Sequence, residues 1–206
     1  MFRRKTVPVI EPRWLFLGLG NPGGEYVGTR HNVGFETIRV LSEKNRIKLT
    51  TRKFSSHFGA GILGGTPVVL AKPMTYMNRS GAAAAELLRH FNLPAERLVV
   101  IFDDMDLRLG RVQIRPQGGS GSHNGMRDLL KVLGTKDFPR IRVGIGPPAV
   151  AGIDHVLGRF TPEEIEEILP AIEEAARGCE LIAQDGIELA MNRTNKPEEN
   201  VGTEAG

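Results

Sequence analysis

Two short apolar runs constrain this chain more than any other feature. "WLFLGLG" (14–20) and "RLVVIFDD" (97–104) are closed by glycines or carboxylates, "IRVGIG" (141–146) reads as another strand, and helix-like stretches separate them. A short run without polar alternation is a strand buried on both faces. Buried strands that alternate with helices imply an α/β fold. The expectation is a single domain with a twisted, mostly parallel mixed β-sheet flanked by helices. "FSSHFGAGIL" (54–63) and "TPVVLAKP" (66–73) read as two strands joined at "GGT", and "RVQIR" (111–115) as an alternating strand. Helices are expected from near His31 to Asn45, over 80–92, over 126–134, over 161–183 and over 186–194. Thr161, Pro162 and Glu164 form a capping box with proline at the first helical position, and Pro170 is a candidate kink.

At 206 residues, with 40% apolar and 25% charged side chains, the chain suits one sizeable domain without repeats or linkers. Residues 1–13 read as a flexible N-terminal extension, 14–195 as the folded domain and 196–206 as a disordered polar tail. The lone Cys179 excludes an intrachain disulfide. No apolar run approaches the ~20 residues that span a membrane, and the basic start lacks an apolar signal core. The cytoplasm is the expected compartment. The formal charge is +3. Between Arg108 and Arg142 lie eight cations, Arg115, Arg127 and Arg140 among them, opposed only by Asp128 and Asp137 within the helical and loop stretches. Two readings stay open: a basic face for a polyanion, or a solvated surface of mixed charge.

Gly18, Gly20 and Gly23 spell G-x-G-x-x-G after the first run. A dinucleotide turn needs a helix that opens at this loop. Pro22 instead keeps Asn21 out of the helical region, and Gly23 and Gly24 delay any helix further. The acidic residue at the right spacing, Glu43, falls in a helix rather than at a strand end. A phosphate-binding G-x-x-x-x-G-K-[ST] is absent, "GGSGS" fails G-x-S-x-G because Ser122 stands where glycine is required, and no cluster has metal-ligand spacing. What remains is a set of polar residues at strand ends and in glycine-rich loops: Asn21, His31, Asn78, Asp103 with Asp104, and His123 with Asn124. In open α/β sheets, sites gather beyond the carboxyl ends of strands, so these residues can converge in one cleft.

"GLGNPGGEYVGTRHNVGF", "KPMTYMNRSG", "DDMDLRLGRVQIR", "GGSGSHNGMRDLL" and "FPRIRVGIG" resemble the bacterial-type peptidyl-tRNA hydrolases over roughly residues 14–195. The resemblance implies hydrolysis of the ester between a peptide and the 3′ ribose of tRNA, which recycles tRNA from stalled or aborted translation. It implies no metal or nucleotide cofactor. A monomer without an obligate protein partner is the expectation. The resemblance also implies that His31 is the catalytic base and Asp103 its orienting partner. Asn21, Asn78 and Asn124 bind the peptide or the 3′ end, while Tyr26, Met77 and His123 line the cleft. Arg115 and Arg142 occupy positions that hold tRNA phosphates. Ser122 departs from the Gly-Gly-His-Asn of some relatives and removes no functional side chain.

The chemistry suits these residues. A neutral imidazole, with an ordinary pKa of about 6.5, can take a proton from water. A carboxylate on its other nitrogen fixes the tautomer and stabilises the imidazolium. Amides donate to carbonyl oxygens and to a developing oxyanion without adding charge. Structural readings stand beside these. His57, His90 and His155 lack a motif, Asp106 reads as a turn residue and Asn32 as a helix cap. Asn21 can shape its turn alone, and Asn124 can cap a helix. A non-catalytic RNA-binding protein on the same fold is the alternative; retention of Asn21, His31, Asn78, Asp103 and Asn124 together argues for the enzyme.

Overall fold

The computed structural model describes residues 11–148 and 152–195. The tail expected over 196–206, and most of the extension expected over 1–13, lie outside the described residues. Seven strands form one sheet: β1 (Trp14–Gly18), β2 (Thr51–Lys53), β3 (Ser56–Leu63), β4 (Thr66–Pro73), β5 (Leu98–Asp104), β6 (Val112–Arg115) and β7 (Arg140–Gly144). Their order is β2-β3-β4-β1-β5-β7-β6. The central strands β4, β1, β5 and β7 run parallel, and β2, β3 and β6 extend the edges antiparallel. The sheet is thus mixed with a parallel centre, in keeping with the expected α/β fold.

Six helices are described: α1 (Val33–Lys44), α2 (Ser80–His90), α3 (Asn124–Leu133), α4 (Gly152–Leu157), α5 (Pro162–Asp185) and α6 (Ile187–Thr194). Side chains of α1, α5 and α6 pack with Phe16, Leu70, Ile101 and Ile141 on one face. Those of α2 and α3 pack with Leu15, Leu17, Val100 and Phe102 on the other. Alternate residues of β1 thus enter opposite cores, which is why its run is apolar throughout.

Several local expectations change. Strand β2 precedes the hairpin start and its three residues are all exposed. The first helix opens at Val33, because Arg30–Asn32 form a separate 3-10 turn. The long α5 has its capping box at Thr161 and continues through Pro170. The glycines of the first loop serve close packing. A Cβ on Gly18 would lie 2.1 Å from the Gly34 carbonyl oxygen, and one on Gly34 would lie 2.4 Å from that of Ile101. These two glycines let the start of α1 press onto the ends of β1 and β5, with Phe35 N–H donating to Leu19 O and Leu19 N–H to Ile101 O. That contact delivers the Arg30–Asn32 turn to the carboxyl end of β5.

Candidate active site

The carboxyl ends of β1 and β5 are neighbours, and the chain leaves β1 and β4 toward opposite faces of the sheet, through α1 and α2. A crevice opens at such a switch point. Here it is a cleft of about 700 Å³. Asn21 follows β1, Met77 and Asn78 follow β4, Asp103 ends β5, and His123 and Asn124 open α3; all of them line the cleft with His31. Arg115 and Arg142 line it from β6 and β7. Tyr26 does not belong to the lining. Its backbone carbonyl accepts from the Thr29 hydroxyl at 2.7 Å and from Thr29 N–H, which shapes the turn before His31.

His31 Nδ1 lies 2.8 Å from Asp103 Oδ1, which leaves Nε2 for the cleft. Asp103 is 2% exposed. Of the two adjacent carboxylates, it is Asp103 that meets His31; Asp104 turns to Arg142 at 2.6 Å. His123 Nε2 reaches the same Asp103 oxygen at 3.0 Å. The tautomer of His123 follows from its other nitrogen. Nδ1 accepts the Met126 N–H at 3.1 Å, so the proton sits on Nε2 and is donated to Asp103. His123 is thus the side-chain cap of α3. It orients the carboxylate as well as lining the cleft. Burial alone would raise the Asp103 carboxyl; His123 and His31, by their charge when protonated and by their hydrogen bonds, hold it well below the usual carboxylate range.

Asn32 is not a side-chain cap of α1. Its Oδ1 accepts from Asn21 N–H at 2.8 Å and its Nδ2 donates to Asn21 O at 3.1 Å. This two-point clamp fixes the Asn-Pro turn. Asn21 Oδ1 in turn accepts from Met77 N–H at 2.8 Å, so its Nδ2 donor is the group left for a ligand. Asn124 is the first helical residue rather than the cap, and its Oδ1 accepts from Arg127 Nη1 at 2.8 Å. It also retains its amide donor. The cleft therefore offers one base and several neutral donors.

His31, Asp103 and His123 also present three metal-ligating atoms within 4.8 Å of one another. Sequence spacing misses this group because its members come from three elements. Both imidazoles meet one carboxylate oxygen at hydrogen-bond lengths, and His123 holds a proton on the nitrogen involved. A metal would have to displace that proton and sit about 2.0–2.2 Å from each ligand atom, which pushes nitrogen and oxygen further apart than their hydrogen bonds hold them. The geometry is that of a hydrogen-bonded relay.

The basic segment divides. Arg140 is 2% exposed. Its guanidinium donates to the carbonyls of Gly118, Gly119, Lys136 and Phe138. Burial, then Arg142, pushes its pKa down to about 10. It lines the cleft, but its guanidinium is taken up by those carbonyls and shapes the 118–119 loop. Arg142 is half-buried against Asp104, and its Nη1 donates to Gln113 Oε1 at 2.6 Å. The same Gln113 oxygen accepts from Arg115 Nε at 3.0 Å. Gln113, unremarked in the sequence except as an alternate strand position, holds the two arginines together.

The peptidyl-tRNA hydrolase family model matches residues 15–202. The peptidyl-tRNA hydrolase of Caldanaerobacter subterraneus subsp. tengcongensis is 46% identical over 183 residues, 88% of this chain and 99% of that one. The one from Bacillus pumilus is also 46% identical over 183 residues, covering 88% and 97%. Among solved structures, the crystal structure of peptidyl-tRNA hydrolase from Acinetobacter baumannii superposes with a TM-score of 0.84 at 36% identity, over 90% of this chain and 95% of that one.

Proposed function

This chain belongs to the peptidyl-tRNA hydrolase family and hydrolyses the ester of peptidyl-tRNA; we propose that His31 is the general base of that reaction. One observation carries the proposal: a buried carboxylate holds His31 by Nδ1 and leaves Nε2 to the cleft. Water bound at Nε2 gives up its proton as its oxygen adds to the ester carbonyl. Asp103 stabilises the imidazolium that forms. The amide donors of Asn21, Asn78 and Asn124 serve the peptide carbonyls and the developing oxyanion. The carbon–oxygen bond to the ribose then breaks, and the imidazolium returns its proton to the leaving ribose oxygen. The products are tRNA with a free hydroxyl and the peptide acid, which loses its proton to solvent and leaves as the carboxylate, and the reaction as written needs no metal or nucleotide.

Arg115 and Arg142 are the proposed phosphate contacts, since they reach the cleft from one rim. The scheme asks for no residue from a second chain, and a monomer acting without an obligate protein partner is the state we assign. No described helix is long and apolar enough to cross a membrane. The cytoplasm, where translation supplies the substrate, is the compartment we assign. The test is release of peptide from a labelled peptidyl-tRNA. His31→Ala should slow the chemical step by roughly 10²–10⁴-fold while tRNA affinity holds. A near wild-type rate in that variant would reject the base assignment.

A further inference from the structure

Arg30 stands between the turn residues and His31, yet its side chain leaves the cleft. It is 8% exposed and reaches a segment far along the chain. Nη1 donates to Arg159 O at 2.8 Å, and Nη2 meets Glu164 Oε2 at 2.5 Å. The guanidinium carbon lies 5.0 Å from the centre of the Phe160 ring. The backbones join as well: Arg30 N–H donates to Gly158 O at 3.0 Å, and Thr29 bridges Arg159.

Glu164 is also the residue that completes the capping box of α5. Its Oε2 accepts from Thr161 N–H at 2.8 Å, so a single carboxylate oxygen receives Arg30 and the helix start together. The Arg30 hydrogen bond is the largest influence holding its carboxyl below the ordinary value. The segment so gripped, 158–164, continues directly from α4. That helix has six residues and none of them is buried. A helix this short has little stability of its own. Yet Ile153, Val156 and Leu157 of α4 supply an apolar part of the cleft wall. Its anchors include Val156 packed on the core, His155 Nε2 at 3.1 Å from Gly146 O, and the junction with Arg30.

We infer that Arg30 and Glu164 are positioning residues for hydrolysis: their ion pair ties the turn that carries His31 to the α4–α5 junction, so that base and apolar wall keep one separation. This rests on the hydrolase reading. The ester lies between the two, so the tie sets how its carbonyl presents to the water at His31. A displacement of about 1 Å costs on the order of 10²-fold in rate. Arginine is required because two contacts in different directions need a planar fork; lysine supplies one point charge. The space is fitted to the fork, since a Cβ on Gly158 would lie 3.0 Å from Arg30 Nη1.

The experiment compares Arg30→Lys, Glu164→Gln and the double variant with the wild type. Glutamine keeps an acceptor for Thr161 N–H, so the α5 cap survives in that variant. Single-turnover hydrolysis gives the rate, binding of deacylated tRNA gives affinity, and amide hydrogen exchange is followed without substrate. Arg30→Lys should lose roughly 10- to 100-fold in rate with tRNA affinity unchanged. The double variant should be no slower than Arg30→Lys. Exchange should rise together in 29–32 and 152–160, with α2 and α3 protected as before. A wild-type rate in folded Arg30→Lys overturns the inference. So does exchange that rises in only one of the two segments, or throughout the fold. The exchange measurement needs no substrate. Should the wild type release no peptide, the functional reading fails while the tie between the two segments is still measured.

Discussion

Replacing Asp103 with asparagine isolates one contribution to catalysis. Both imidazoles donate to the same oxygen, Oδ1. An asparagine Oδ1 in that place still accepts from both, so Asp103→Asn removes the charge and keeps the hydrogen bonds. The His31 nitrogen is 2.8 Å from the carboxylate oxygen, and the charge centres of an imidazolium–carboxylate pair at that contact lie about 4 Å apart. At that distance the attraction is about 4 kcal/mol in a protein environment and about 1 kcal/mol in bulk water. Asp103 is buried, so the larger figure governs, and a loss of that size is about 10³-fold in rate. Single-turnover peptide release at saturating enzyme measures it, with thermal unfolding as a control for the fold. Asp103→Ala should be slower still, because two buried ring N–H groups lose their acceptor at about 1–3 kcal/mol each. In His31→Ala the carboxylate has no imidazolium to stabilise, so the double variant should be no slower than His31→Ala alone. An Asp103→Asn rate within about threefold of wild type would show that the charge is not used. Losses that multiply would show that Asp103 acts apart from His31.

His123→Ala removes the α3 cap and one donor to Asp103, and should cost about 1 kcal/mol of stability together with a slower chemical step. His123→Asn should restore the cap through its side-chain oxygen without restoring the rate, which paired unfolding and hydrolysis measurements would show. Arg140→Met should lower the unfolding midpoint by the equivalent of roughly 3 kcal/mol or more, because four carbonyls lose a charged donor, and should leave the salt dependence of tRNA binding unchanged. Arg115→Ala should do the reverse: the slope of log affinity against log salt should flatten by about 0.7–0.9, with stability unaffected. The depressed Asp103 carboxyl stabilises the fold above its ordinary value of about 3.9, and that stability is lost as pH falls from there through the lower folded value. Acid titration of unfolding should therefore be steeper below about pH 4 in the wild type than in Asp103→Asn.

Strands β1 and β5 of the parallel centre were legible because burial on both faces writes itself into sequence as unbroken apolar runs. Strand β2, Thr-Arg-Lys, is exposed at every position and pairs with β3 alone, so no burial pattern marks it. Helix α4 is shorter than any window in which a helical period can be recognised, and its place depends on Arg30. In the site, local sequence named groups without naming their partners. His31 and Asp103 are 72 positions apart, and no spacing rule joins them. Asn32 stands where a cap belongs, yet its amide is taken by Asn21, because the close approach of α1 to β1 brings the two loops together. His123 precedes a helix opened by Asn124, and the residue type favoured as a cap proved to be the neighbour of the one that caps.

Arg140 and Arg142 show most plainly where the limit lies. They are two apart on β7, so alternation puts both on the face opposite Ile141 and Val143, which enter the core with α5. Two residues along a strand advance the chain by about 6.6 Å. Arg140 is at the start of β7, beneath the 118–119 loop, where four carbonyls take up its guanidinium. Arg142 is one such step nearer the carboxyl end, where β5 delivers Asp104 and the cleft opens. Periodicity assigns a face. It does not assign a depth along the strand, and here depth separates an arginine taken up by four backbone carbonyls from one paired with Asp104 and Gln113.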